Sequence, residues 1–88
     1  MDKREIERQL KVLANHRRLA ILHLLLKRKE ADVTAVSETI RLSFTSTSKH
    51  LVMLERAGFI EKEQRSTNVY YRLSPIAPKI TSSIFAMF

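Results

Sequence analysis

Ser43 to Leu51 reads SFTSTSKHL, five hydroxyl side chains followed by one ammonium, Lys49, and one imidazole, His50. Two kinds of chemistry suit such a set. Covalent catalysis needs a hydroxyl and a base within hydrogen-bond reach. Ser48 and His50 stand two residues apart, and side chains at that spacing do not face one another on a helix. Recognition asks less: short donors and acceptors that lie close against a polar surface. Ser and Thr can bond base edges and phosphates in the major groove of a duplex, and a Lys can reach a phosphate or a guanine edge. Taken alone, the stretch equally describes a solvated helix face with Ser43 as its cap and Thr47 buried. The elements around it decide.

Those elements follow from hydrophobic spacing. Ile6, Leu10 and Leu13 recur at helical intervals among Lys3, Glu5, Glu7, Arg8 and Lys11, which predicts an amphipathic first helix. A second helix follows, with Asn15 as N-cap and Lys27, Arg28 and Lys29 at its C-terminal end, where the helix dipole favours cations. Leu19, Ile21, Leu22, Leu24, Leu25 and Leu26 cover most of its circumference, the pattern of a buried central helix. ADVTAVSETIRL predicts a short third helix capped by Asp32 or Thr34, with Val36 and Ile40 inward.

The fourth helix spans residues 43–57. Thr47, Leu51 and Leu54 make its inward stripe, and Gly58 stands where a left-handed C′ residue is expected. Thr45, Ser48, Lys49, Val52 and Arg56 then face outward, with Ser46 and His50 on the flank. Beyond Gly58 the period changes to two. Residues 61–72 predict a β-hairpin around a polar turn from Gln64 to Asn68, which carries Arg65. Ile76, Ile80 and Ile84 lie four apart and predict a last helix with an apolar face. Four helices, a hairpin and a helix (α-α-α-α-β-β-α) make a mostly α winged helix-turn-helix, one domain over residues 1–88.

Composition narrows the function. The chain has 88 residues, no Cys, and 16 basic against 9 acidic side chains, a formal charge of +7. Thiolate metal sites and disulfides are excluded, and the charge favours a polyanionic partner, nucleic acid first. The longest apolar run, LAILHLLL, is too short for a bilayer span, and the N-terminus lacks a signal peptide's apolar run. The expectation is a cytoplasmic protein with no membrane association. Nothing resembles a Gly-rich phosphate loop or a metal-bearing carboxylate cluster, so an enzyme is not expected.

LKVLANHRRLAILHLLL, LSFTSTSKHLVMLERAGFIE and VYYRL together resemble the ArsR/SmtB-type winged helix-turn-helix transcriptional repressors, over about Leu10 to Ser74. The resemblance implies a homodimeric, sequence-specific repressor on an inverted-repeat operator in double-stranded DNA. It implies DNA contacts by Thr45, Ser46, Ser48, Lys49 and His50. The 61–72 hairpin reads as the wing beside them, and the charge of its turn favours a phosphate contact by Arg65 over a merely solvated turn. The resemblance implies a dimer interface of first and last helices, matching the apolar residues Ile6, Leu10, Ile80 and Ile84. It also gives Arg18 a structural role beside the helix-turn-helix.

Three departures stand out. The Cys positions that sense metal in many members are occupied by Asp32 and Thr34, and the last helix has neither His nor carboxylates. No metal site or other cofactor is expected, and no effector is named by the sequence. Arg41 occupies the turn position that commonly holds Gly. Phe44 replaces a polar residue at the recognition-helix start, with packing against the third helix expected and a thymine methyl as the other destination. Two readings compete with the repressor: a winged helix that binds protein, and a sequence-neutral chromatin protein.

Overall fold

The computed structural model describes residues 2–88, so Met1 of the expected 1–88 domain lies outside the described residues. Each of the first four helices starts at a side chain that accepts from the orphan N–H groups of its first turn. Asp2 accepts from the Arg4 N–H and opens α1, Lys3–Leu13. Asn15 accepts from the Arg17 and Arg18 N–H groups at 2.9 and 3.2 Å and opens α2, His16–Arg28. Asp32 accepts from the Ala35 N–H at 2.8 Å and opens α3, Val33–Ile40. Ser43 accepts from the Ser46 N–H at 3.1 Å and opens α4, Phe44–Arg56.

The helix ends are as specific as the starts. The Phe59 N–H donates to the Leu54 carbonyl and the Gly58 N–H to the Glu55 carbonyl, each at 3.0 Å. These two bonds make a Schellman motif, and Gly58 holds its left-handed position at φ 84°. At the end of α3 the same role falls to Arg41, at φ 56° and ψ 53°, with the Leu42 N–H reaching back to the Ser37 carbonyl at 3.1 Å. A side chain in this region costs about 1 kcal/mol relative to glycine.

The strands are β1, Ala31–Asp32; β2, Ile60–Arg65; and β3, Asn68–Leu73, in the antiparallel order β1-β3-β2. Two sequence expectations change here. The hairpin is joined by a third strand, because Ala31 and Asp32 pair with Tyr71 and Tyr70. A strand of two residues has no alternation to read, and Asp32 serves both strand and helix cap. The hairpin turn is also tighter than Gln64–Asn68. Gln64 pairs with Val69 and Arg65 with Asn68, leaving only Ser66 and Thr67 to turn. Ser66 takes φ 57°, the positive first position of a II′-like two-residue connection.

The final helix, α5, is Ile80–Met87. Ile76 was expected on its apolar face, but it precedes the helix, between Pro75 and Pro78, and is 88% exposed. Ile80, Ile84 and Phe85 lean on the core, and Phe88 stacks on His23 of α2 with ring centroids 4.6 Å apart.

The core is built around α2. Ile21, Leu22 and Leu25 meet Val36 from α3, Leu51 and Leu54 from α4, and Phe59, all but closed to solvent. Thr47 is also fully buried, and its hydroxyl has no hydrogen-bond partner. An unsatisfied buried hydroxyl is a cost that an isosteric methyl removes. Thr47→Val should therefore raise unfolding free energy by about 1 kcal/mol in urea denaturation. A decrease of that size would mean that the hydroxyl is bonded in solution.

Candidate nucleic-acid interface

Helix α4 presents its hydroxyl-rich end outward because Thr47, Leu51 and Leu54 fix the other side in the core. Thr45 and Lys49 are exposed, and Ser46, Ser48 and His50 are half-buried. Ser43 takes the Ser46 N–H, leaving the earlier first-turn donors for an anion. Phe44, expected in packing against α3, is 59% exposed at the first position of α4. Met53 joins the same face, 41% exposed.

Two arginines of α2 brace this helix. One Nη of Arg17 donates to the Ile40 carbonyl and, at 3.3 Å, to the Arg41 carbonyl. It thereby satisfies the C-terminal end of α3 and holds the left-handed turn in front of α4. Sequence reasoning missed this role. The signal was present: a turn without glycine leaves helix-end carbonyls in need of a donor. Arg18 donates from Nη1 to the Val12 carbonyl and from Nε to His50 Nδ1, both at 3.2 Å. It ties the end of α1 to the middle of α4.

That second bond defines His50. Its Nδ1 is an acceptor, so the ring is neutral with its proton on Nε2. Burial, then the charges of Arg18, Arg17 and His16, hold its pKa below the ordinary value of 6.5. The unfolded chain therefore takes up the proton first as pH falls. The stabilising contribution is complete above 6.5 and is lost as pH drops from there to the depressed folded value. We expect the midpoint of thermal unfolding to fall between pH 7 and pH 5, and to fall less in His50→Asn. Equal pH profiles for the two proteins would remove His50 from this role.

The wing differs most from the sequence reading. Arg65 is the last residue of β2, paired with Asn68 and not part of the turn, and its guanidinium is already engaged. It forks onto Glu30 at 2.6 and 2.9 Å, meets Glu63 at 2.9 Å, and lies over the Tyr70 ring. Arg72 is held by Glu61 at 2.7 Å and Glu63 at 2.8 Å. The hydrogen bonds from Arg65 lower the pKa of Glu30 and, with those from Arg72, of Glu63; both guanidinium groups are raised in turn. Arg65 and Arg72 thus face Glu30, Glu61 and Glu63, and the exposed Lys62 brings the count to three charges of each sign. The pairs are exposed and contribute little stability. Their consequence is electrostatic: the wing is close to neutral, and the positive field near α4 comes from Arg41, Lys49 and Arg56, all exposed.

The residues expected at a dimer interface divide into two groups. Ile6 and Leu10 are 38% and 47% exposed on α1. Ile80 and Ile84 are partly spent on the chain's own core, while Met87, the last residue of α5, and Phe88 beyond it stand 73% and 42% exposed. Among the described residues no three His, Cys, Asp or Glu side chains gather as a metal site, and no helix is long and apolar enough to cross a membrane.

A helix-turn-helix with a hairpin beside it invites comparison with known proteins. The family described as winged helix DNA-binding domain matches residues 17–74, from the first turn of α2 to the end of β3. The chain belongs to that family. Its relatives place this winged helix in the ArsR group. The arsenical resistance operon repressor of Bacillus subtilis is 34% identical over 71 residues, 81% of this chain and 68% of that protein. The transcriptional activator HlyU of Vibrio cholerae is 40% identical over 65 residues, 74% of this chain; the match spans 59% of HlyU's length. Among solved structures, the homodimeric winged helix-turn-helix domain Mb0332 of Mycobacterium bovis superposes with a TM-score of 0.77 at 34% identity, covering 94% of this chain and 73% of that one. This winged helix therefore matches its relatives in wing and helix-turn-helix alike.

Proposed function

We propose that the chain acts in the cytoplasm as a single-domain homodimeric repressor that binds an inverted-repeat operator. The observation that carries the reading is the outward face of α4: short hydroxyls and Lys49, braced from behind by Arg17 and Arg18 and flanked by Arg41 and Arg56. In this reading α4 enters the major groove. Thr45, Ser46, Ser48 and Lys49 meet bases and phosphates, and His50 offers its Nε2–H at the groove wall. Arg65 reaches a phosphate by exchanging Glu30 for it, so the wing adds contact after docking and little attraction before it. The chain binds and does not catalyse. Relatives include both a named activator and a named repressor; repression is the simpler output, since an occupied operator excludes other proteins without a further contact.

Two copies meet in this reading through the exposed apolar positions of α1 and α5. Two-fold pairing of these faces would set the recognition helices about 34 Å apart, one turn of duplex. Leu10→Glu would place a charge in each half of the interface. The expected result is a monomer by sedimentation equilibrium at micromolar concentration, folded by circular dichroism and at least tenfold weaker on its operator. A Leu10→Glu protein that remains dimeric would move the interface elsewhere.

The test of function is selection from a random duplex library with competitor DNA near physiological salt. An enriched inverted repeat supports the regulator. Uniform, salt-sensitive retention would replace it with a sequence-neutral chromatin protein, and no retention with a protein-binding winged helix.

A further inference from the structure

We infer that Phe44 reads sequence, resting its ring on the C5 methyl of a thymine in each operator half-site. The inference rests on the proposed docking of α4 and adds the chemistry of one contact to it. Phe44 is the first residue of α4 and is 59% exposed, whereas Phe59 is fully buried and Phe85 packs against the core. The fold gains nothing from a ring at this place. Ser43 already caps the helix, and a hydrophobic staple would join Leu42 to position 47, not to position 44.

Its surroundings point to the occupant. Phe44 shares a shallow concavity along α4 with Thr45, Ser48, Lys49, Val52, Met53 and Arg56. The surface is apolar from Phe44 to Val52 and Met53, with the cations Lys49 and Arg56 beside it. A base edge beside a phosphate strand complements it; an apolar protein surface would bury Lys49 and Arg56 without partners. In the major groove the thymine methyl is the apolar group a base pair presents, and Phe is among the side chains that meet it. Phe44 stands on the first turn of the helix, the end that carries base contacts in helix-turn-helix proteins.

The test replaces thymines of the selected operator by deoxyuridine, one symmetric pair at a time. Deoxyuridine keeps every hydrogen-bonding group and loses only the methyl. The wild-type protein should lose about fourfold per half-site, about fifteenfold across both, at one thymine position, the worth of one methyl-sized apolar contact each. Phe44→Ala should bind thymine and uracil duplexes equally, with unchanged melting and unchanged salt dependence on random DNA. Phe44→Leu should keep part of the discrimination. Indifference of the wild type to every substitution, a half-site without thymine, or full discrimination by Phe44→Ala would each overturn the inference while leaving the docking of α4 intact. Failure of the wild type to enrich any operator would instead overturn the docking, and this inference with it.

Discussion

Charge reversal at Lys49 should weaken operator binding by about a thousandfold. Lys49 is exposed on the outward face of α4, among Thr45, Ser48 and Arg56, and forms no ion pair among the described residues. Its replacement by Glu removes an attraction and sets a carboxylate against the phosphate backbone. At about 2 kcal/mol per half-site, two half-sites give the stated factor. Lys49→Ala should cost less and lower the salt dependence by about one counterion per subunit. Fluorescence anisotropy on the selected duplex across a salt series separates the two effects. Binding of Lys49→Glu within threefold of wild type would put the contact elsewhere on the molecule.

Phe59→Ala should remove about 3–5 kcal/mol of stability, much of what a domain of this size possesses. Phe59 is fully buried and closes the Schellman turn through its N–H to the Leu54 carbonyl. Its side chain fills the space where α4 turns into β2, so the cavity would open where recognition helix and wing are joined. Denaturant titration by circular dichroism gives the number. A loss below about 1.5 kcal/mol would mean that the core can collapse around the gap. Phe59→Leu, which keeps most of the apolar volume, should cost visibly less and serves as the folded comparison.

The helices were legible in the sequence for definite reasons. Asn15, Asp32 and Ser43 are cap residues placed just ahead of apolar periodicity, and each accepts the first-turn bonds its type suggests. Thr47, Leu51 and Leu54 gave the inward side of α4, and with it the outward one. Gly58 marked the helix end because a positive φ there favours glycine. The family resemblance drew on the same α4 residues and Gly58, which lie within the matched region, residues 17–74.

What stayed hidden depended on contacts between distant parts of the chain. β1 has two residues and exists because Tyr70 and Tyr71 pair with it. Arg65 looked like a free cation at a turn. Its partner Glu30 lies 35 residues away, and no local pattern joins them. Arg17 carried no periodic signal, yet it bonds the carbonyl ends of α3 across the domain. The four-residue spacing of Ile76, Ile80 and Ile84 misled, because prolines on both sides of Ile76 hold it out of the helix that begins at Ile80. Phe44 looked like core by residue type; only its exposure separates it from Phe59.

The placement of α4 in the major groove is best tested by methylation protection at guanine N7, an atom that lies in that groove. The measurement uses the selected duplex with wild type and Lys49→Glu side by side. The account predicts two protected patches about ten base pairs apart, one per half-site, both lost with Lys49→Glu. Binding without N7 protection, or protection that persists in Lys49→Glu, would contradict it.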